Sequence, residues 1–150
     1  AISSDSCSNV NILDCDFDSC KSTGFGGSVR VVNTEKLLNI SDCNFSNSHS
    51  DADGGSVYCD KVPMVVIHNC DFSNSSSNLA GCSIDIVSTT NTVIKNSNFT
   101  NSINSIGIQK GANVTLTKNN LTASDPNKST MYIKENTTEA YEISERIRIK

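Results

Sequence analysis

The chain reads as all-β: a parallel β-helix solenoid with three short strands per turn, in about five turns of 22–28 residues. Three observations lead there. The stretch DCNFSNSHSDADGGSVYC, from Asp42 to Cys59, is rewritten upstream as DCDFDSCKSTGFGGSVRV and downstream as NCDFSNSSSNLAGCSIDI and NSNFTNSINSIGI. Phe17, Phe45, Phe72 and Phe99 therefore recur at intervals of 28, 27 and 27 residues, a period that belongs to stacked repeats. Within each copy apolar residues alternate with period two, which is strand spacing, and no stretch follows the 3.6-residue period of a helix.

Taken in order, the first strand of each turn supplies inward pairs at Val10/Ile12, Leu38/Ile40, Val65/Ile67, Thr92/Ile94, Val114/Leu116 and Tyr141/Ile143. A two-residue corner follows, and alternation restarts out of phase. The second strand gives Cys15/Phe17, Cys43/Phe45, Cys70/Phe72, Ser97/Phe99 and Asn119/Leu121. A variable polar loop and a glycine-rich corner lead to the third strand, with Val29/Val31, Val57/Cys59, Ile84/Ile86, Ile106/Ile108 and Met131/Ile133. The turns then run approximately 10–37, 38–64, 65–91, 92–113 and 114–140, with a partial turn at 141–150, all in one domain.

Stacking predicts continuous internal columns. One is Phe17, Phe45, Phe72, Phe99 and Leu121; a second is Ile12, Ile40, Ile67, Ile94 and Leu116; a third is Cys15, Cys43 and Cys70. The first corner carries Asp14, Asp42, Asn69 and Asn96, with Lys118 breaking the series. Asn and Asp tolerate left-handed backbone, and their stacked side chains can bond along the axis. Gly26-Gly27, Gly54-Gly55 and Gly81 are expected to supply positive φ before the third strand. Ile2 falls where the third strand of a preceding turn would end, and Ile147/Ile149 alternate like a second strand. Either the chain is a segment of something longer or the next subunit caps it.

Composition fits this architecture. Hydrophobic residues make up 36% of 150, aromatics 5%, and Trp is absent, which is thin for a globule but sufficient for turns that bury residues against each other. The net charge is −4, and no basic stripe interleaves with aromatics, so nucleic acid is not an expected partner. Residues 1–75 hold four Lys/Arg against ten Asp/Glu and residues 76–150 eight against six, a lengthwise dipole suited to head-to-tail meeting of subunits. The longest apolar run, Val62 to Ile67, contains Pro63 and is far too short to span a bilayer.

Candidate sites are few. Seven cysteines without a C-x-x-C pair argue against zinc. Cys15, Cys43 and Cys70 read as reduced core residues, with a disulfide between stacked turns as the rival. Cys7, Cys20 and Cys82 lie near corners and loops, where bridges form in oxidising compartments, Cys7–Cys20 being the first choice. Eight N-x-[ST] sequons begin at Asn39, Asn44, Asn74, Asn98, Asn113, Asn120, Asn127 and Asn136, each on an outward or loop position. Asp16, Asn44, Asp71 and Asn98 form an outward column, with Asp18, Asp51, Asp53 and Asp85 elsewhere. Two amides in that column, and no Lys or Arg beside it, read as a solvated face rather than a carboxylate pair for sugar chemistry. His49 in a loop and His68 beside a corner have no visible partner and read as solvent-facing. No nucleophile–His–acid set, catalytic residue, cofactor or metal is expected.

The combination C-x-F-[ST]-N-S, a short polar loop and G-G-S-V resembles the repeat of chlamydial polymorphic outer-membrane proteins, which pairs F-x-x-N with G-G-A-[ILV]. Similar repeats occur in protist surface proteins, within the pectin-lyase-like β-helix class. The likeness covers residues 10 to about 108; Ser28 and Ser56 stand in place of the motif's Ala, and Asn47, Asn74 and Asn101 lie two residues after Phe rather than three. It implies a right-handed coil, with support from the handedness of parallel crossovers, and a secreted or surface-exposed adhesive role. The expectation is therefore a non-catalytic extracellular structural or adhesive β-helix, glycosylated and able to stack into a fibre. Its partners would be itself, other surface proteins or glycans. The alternatives are a carbohydrate-active lyase or hydrolase with its groove outside this segment, and a carbohydrate-binding module, against which the few outward aromatics (Tyr58 and Tyr132) count.

Overall fold

The computed structural model describes residues 1–111, 113–123, 125, 131–133 and 142–144, with backbone alone for 132, 133 and 142–144. Among them there is no helix; the chain winds as a parallel β-solenoid of about 4 turns. Equivalent strands of successive turns pair in parallel and in register. The first strands, Asn9–Leu13, Leu37–Ser41, Met64–His68, Asn91–Lys95, Val114–Thr117 and Glu142–Ser144, make one sheet. The second strands, Asp16–Asp18, Asn44–Ser46, Asp71–Ser73, Asn98–Thr100 and Asn120–Thr122, make another. The third strands are Ile2–Asp5, Val29–Val32, Val57–Asp60, Ile84–Val87, Ile106–Gln109 and Met131–Ile133.

The repeat fixes the packing because register puts like on like. Phe17, Phe45, Phe72 and Phe99 stack with ring centroids 4.8, 4.7 and 4.8 Å apart and planes within 2° of parallel. Leu121 continues the column opposite Phe99. Ile12, Ile40, Ile67, Ile94 and Leu116 align in the same way and are buried. Each such side chain contributes roughly 1.5–3 kcal/mol of burial, but only because its neighbours above and below exist. Cys43 and Cys70 are buried, and Cys15 is half-buried at the first turn. Higher up, the column turns polar yet stays satisfied: Cys70 N donates to Ser97 Oγ (3.1 Å), Ser97 N to Asn119 Oδ1 (3.0 Å), and Asn119 Nδ2 to the Ile94 carbonyl (2.7 Å).

Corners are built on left-handed residues. Asp14, Asp42, Asn69, Asn96 and Lys118 have φ of 51–56°. Two further series, absent from the sequence reading, do the same: Ser19, Asn47, Asn74 and Asn101 after the second strand, and Ser6, Asn33, Lys61, Ser88 and Lys110 after the third. Axial amide bonds join several steps, including Asn69 Nδ2 to Asp42 Oδ1 (3.2 Å) and Asn74 Nδ2 to Asn47 Oδ1 (3.3 Å).

Three expectations need correction. Between the second and third strands runs an additional short strand, Lys21–Ser22, His49–Ser50 and Ser76–Ser77, forming a three-stranded sheet of its own. It lacks apolar alternation, so backbone pairing alone defines it. Ile2 opens its strand opposite Val29 rather than closing one. Only the first glycine of each Gly-Gly pair has positive φ, Gly26 at 66° and Gly54 at 67°, with Gly81 at 59°. Gly27 and Gly55 are needed for space, since a Cβ there would fall on the carbonyls of Gly55 and Cys82 in the following turn. Ser28 and Ser56, which stand where the resembled motif has Ala, pair their buried hydroxyls with Ser48 and Ser75, both at 2.7 Å. Tyr141, Ile147 and Ile149 lie outside the described residues.

Candidate functional site

The outward column of the second sheet is a self-bonded polar ladder. Asn44 Nδ2 donates to Asp16 Oδ1 (2.7 Å) and Asn98 Nδ2 to Asp71 Oδ1 (2.6 Å), with Asn120 next in register. Beside it, Asp18 accepts from Ser46 Oγ (2.6 Å) and Asn47 Nδ2 (3.0 Å), and these donors with Ser19 hold its carboxyl below the ordinary 3.8. Carboxylates occupied in this way brace adjacent turns. Of the sequons, Asn44, Asn74, Asn98, Asn113 and Asn120 are exposed and Asn39 is half-buried; Asn127 and Asn136 lie outside the described residues.

All seven cysteines are free thiols in this structure, so the Cys7–Cys20 bridge is not formed. Cys7 is exposed, whereas Cys20 and Cys82 are half-buried. Burial pushes the Cys43 thiol up and the Cys70 thiol up to about 12, and it raises that of Cys59, which is fully enclosed. These are inert packing groups.

Tyr58 is not an outward sugar-stacking platform. The loop before the third strand folds over it, and Phe25 covers its ring at a centroid distance of 4.5 Å, leaving it 9% exposed. Burial first, then the charge of Asp60, pushes its phenol up to about 12. Asp85, next in register to Tyr58, is fully buried and accepts from Gln109 Nε2 at 3.0 Å. Asp53 Oδ1 accepts from the Ala80 amide (2.7 Å), tying one loop to the next.

The histidines differ from expectation. His68 is half-buried in the first sheet, between Ser41 and Lys95 in register. His49, read from the sequence as partnerless, has two partners: Nδ1 lies 2.8 Å from Ser76 Oγ and Nε2 lies 3.2 Å from Asp51 Oδ1. Strand register brings Ser76, 27 residues away, alongside His49. Asp51, two residues on, was visible in sequence but only as a loop carboxylate. A nucleophile, an imidazole and an acid therefore stand in line, and the short sheet that aligns them was the element the sequence hid.

Among the described residues no three His, Cys, Asp or Glu side chains converge on a metal-sized site, and no helix is long and apolar enough to cross a membrane. No protein-family model, curated protein or solved structure matches this chain.

Proposed function

We propose that this chain is an extracellular structural rod, adhesive along its loops and extended by axial stacking of copies. The observation that carries the reading is the in-register parallel stacking of like on like along the axis, in the third sheet and in the phenylalanine column, a geometry in which each turn is held by its neighbours and further turns can extend the rod. The coil is right-handed in this proposal, and the chain is a distant analogue of chlamydial and protist surface repeats. The exposed sequons support a glycosylated surface, and the covered Tyr58 weighs against a sugar-binding module.

Electron microscopy and sedimentation of the purified chain test the stacking. Concentration-dependent rods longer than one subunit are expected. Single short rods at every concentration would sink the proposal. Expression through a eukaryotic secretory route, followed by enzymatic removal of N-glycans, should lower the mass; no shift would remove the glycoprotein part.

A further inference from the structure

The row of Ser76, His49 and Asp51 has the connectivity of a nucleophile relay. A carboxylate only accepts hydrogen bonds, so the contact from Asp51 to His49 Nε2 places the proton on Nε2. Nδ1 then carries the lone pair, and the Ser76 hydroxyl at 2.8 Å donates to it. This is the arrangement in which imidazole removes a serine proton and a carboxylate holds the ring in the required tautomer. The backbone sets the spacing: the Asp51 amide donates to Ser22 O (3.0 Å), and the His49 amide to Cys20 O (2.9 Å).

The neighbourhood of Ser76 supplies two more parts. Ser76 N donates to Ser48 O and Asn78 N to Ser50 O, both toward the preceding turn. Parallel ladders alternate direction residue by residue, so the Ser77 N–H points the other way, toward the following turn. There the chain is shorter: Ile84 lies twelve positions after Phe72, but Ile106 only seven after Phe99. Among the described residues, no strand pairs with Ser76–Ser77 on that side. The result is a ledge on which an exposed hydroxyl stands next to an amide facing outward. Leu79, 69% exposed and three residues on, adds an apolar surface to the same ledge.

We infer that Ser76 is a nucleophile toward short-chain acyl esters, with His49 as its general base and the Ser77 amide as oxyanion donor. Ser76 Oγ attacks the ester carbonyl carbon as its proton passes to His49 Nδ1. The C–O bond to the leaving alcohol breaks, and that oxygen takes the proton from His49. Water then attacks the acyl-Ser76 ester, giving one proton through His49 back to Ser76 Oγ and releasing the carboxylic acid. Ester and water are consumed, and acid and alcohol are formed. Asp51 acts through His49, as a positioning residue. The open, shallow ledge fits small acyl groups rather than polymers. This activity is independent of axial stacking, so either can fail alone.

The test treats the full chain with a fluorophosphonate probe and locates the label by peptide mass mapping, with release of nitrophenol from 4-nitrophenyl acetate followed in parallel. Label on Ser76 is expected, absent in Ser76→Ala and slowed roughly 100-fold or more in His49→Gln. Asp51→Asn should slow it about tenfold or more, and Asp51→Glu should recover most of the rate, a rescue that a merely structural contact would not give. His68→Gln should label as the parent does. Circular dichroism melts of each variant confirm that the coil is intact. Label found only elsewhere, no label on Ser76, or equal rates in parent and a folded His49→Gln chain would overturn the inference.

Discussion

Phe72→Ala is the sharpest probe of how the columns hold the coil together. The ring is fully buried, with Phe45 at 4.7 Å on one side and Phe99 at 4.8 Å on the other. Losing its burial removes roughly 1.5–3 kcal/mol, and losing two ring contacts removes about 0.5–1.5 kcal/mol each. The expected cost is therefore about 3–5 kcal/mol, the usual range for a buried Phe truncated to Ala. Phe17 is the internal control, because it has one ring neighbour at 4.8 Å and keeps 8% exposure. Its truncation should cost less by about one ring contact, roughly 0.5–1.5 kcal/mol. Urea titration gives the difference, and native-state hydrogen exchange shows where it acts. Solenoid stability is a sum of unit and neighbour terms, so loss of protection should spread from Asp71–Ser73 to the turns on both sides. If Phe72→Ala cost no more than Phe17→Ala, the columns would not be cooperative and the account of the fold would be wrong.

Other outcomes follow from the corners and thiols. Asp5 accepts from Asn33 (3.0 Å) and Ser6 (2.8 Å), and like Asp18 it lies below the ordinary 3.8. Carboxyls depressed on folding stabilise fully above their unfolded value, and this is lost as pH falls through the folded one. The melting temperature should therefore drop on acidification below about pH 4, less steeply in Asp18→Asn; identical profiles would refute the link. A thiol reagent should modify exposed Cys7 first and leave Cys43, Cys59 and Cys70 unreacted until denaturant is added; rapid modification of Cys59 would contradict its burial. Gly55→Ala should cost ~3 kcal/mol by overpacking, because its Cβ falls on the Cys82 carbonyl, whereas Gly24→Ala meets nothing nearer than 3.9 Å and should be neutral in a thermal melt. Asn98 and Asn120 are register neighbours about 4.8 Å apart, too close for two glycans, so glycopeptide mapping should find at most one of them occupied.

Period and alternation made the three main sheets readable, since Phe17, Ile12 and their copies repeat the same chemistry at the same place in every turn. The extra strand was illegible for a physical reason. Lys21, His49 and Ser76 share no apolar pattern, and only main-chain pairing between successive turns shapes them. Corners at Lys61, Lys110 and Ser19 were equally silent, because their side chains show no preference for left-handed backbone and the ladders impose it. The His49 contacts went unseen for the same cause: Ser76 becomes a neighbour only through a register that local sequence does not display. The outward Asp16 column reads from sequence only as a solvated face; the bonds by which Asn44 and Asn98 brace it depend on the register that sets amide over carboxylate.

The glycine requirement at 27 and 55 lapses at Cys82: its amide still donates to Asn104 O in the fourth turn (2.9 Å), but among the described residues that turn has no counterpart of the short strands whose His49 and Ser76 carbonyls crowd positions 27 and 55. Loop length in one turn thus dictates which residue is permitted in the turn beneath it. Lengthening the segment between Phe99 and Ile106 to match its predecessors would add a fourth short strand, crowd Cys82 with its carbonyl and bury the ledge at Ser76. Such a graft would take hold only with glycine substituted at 82, which makes insertions in this coil a two-site event.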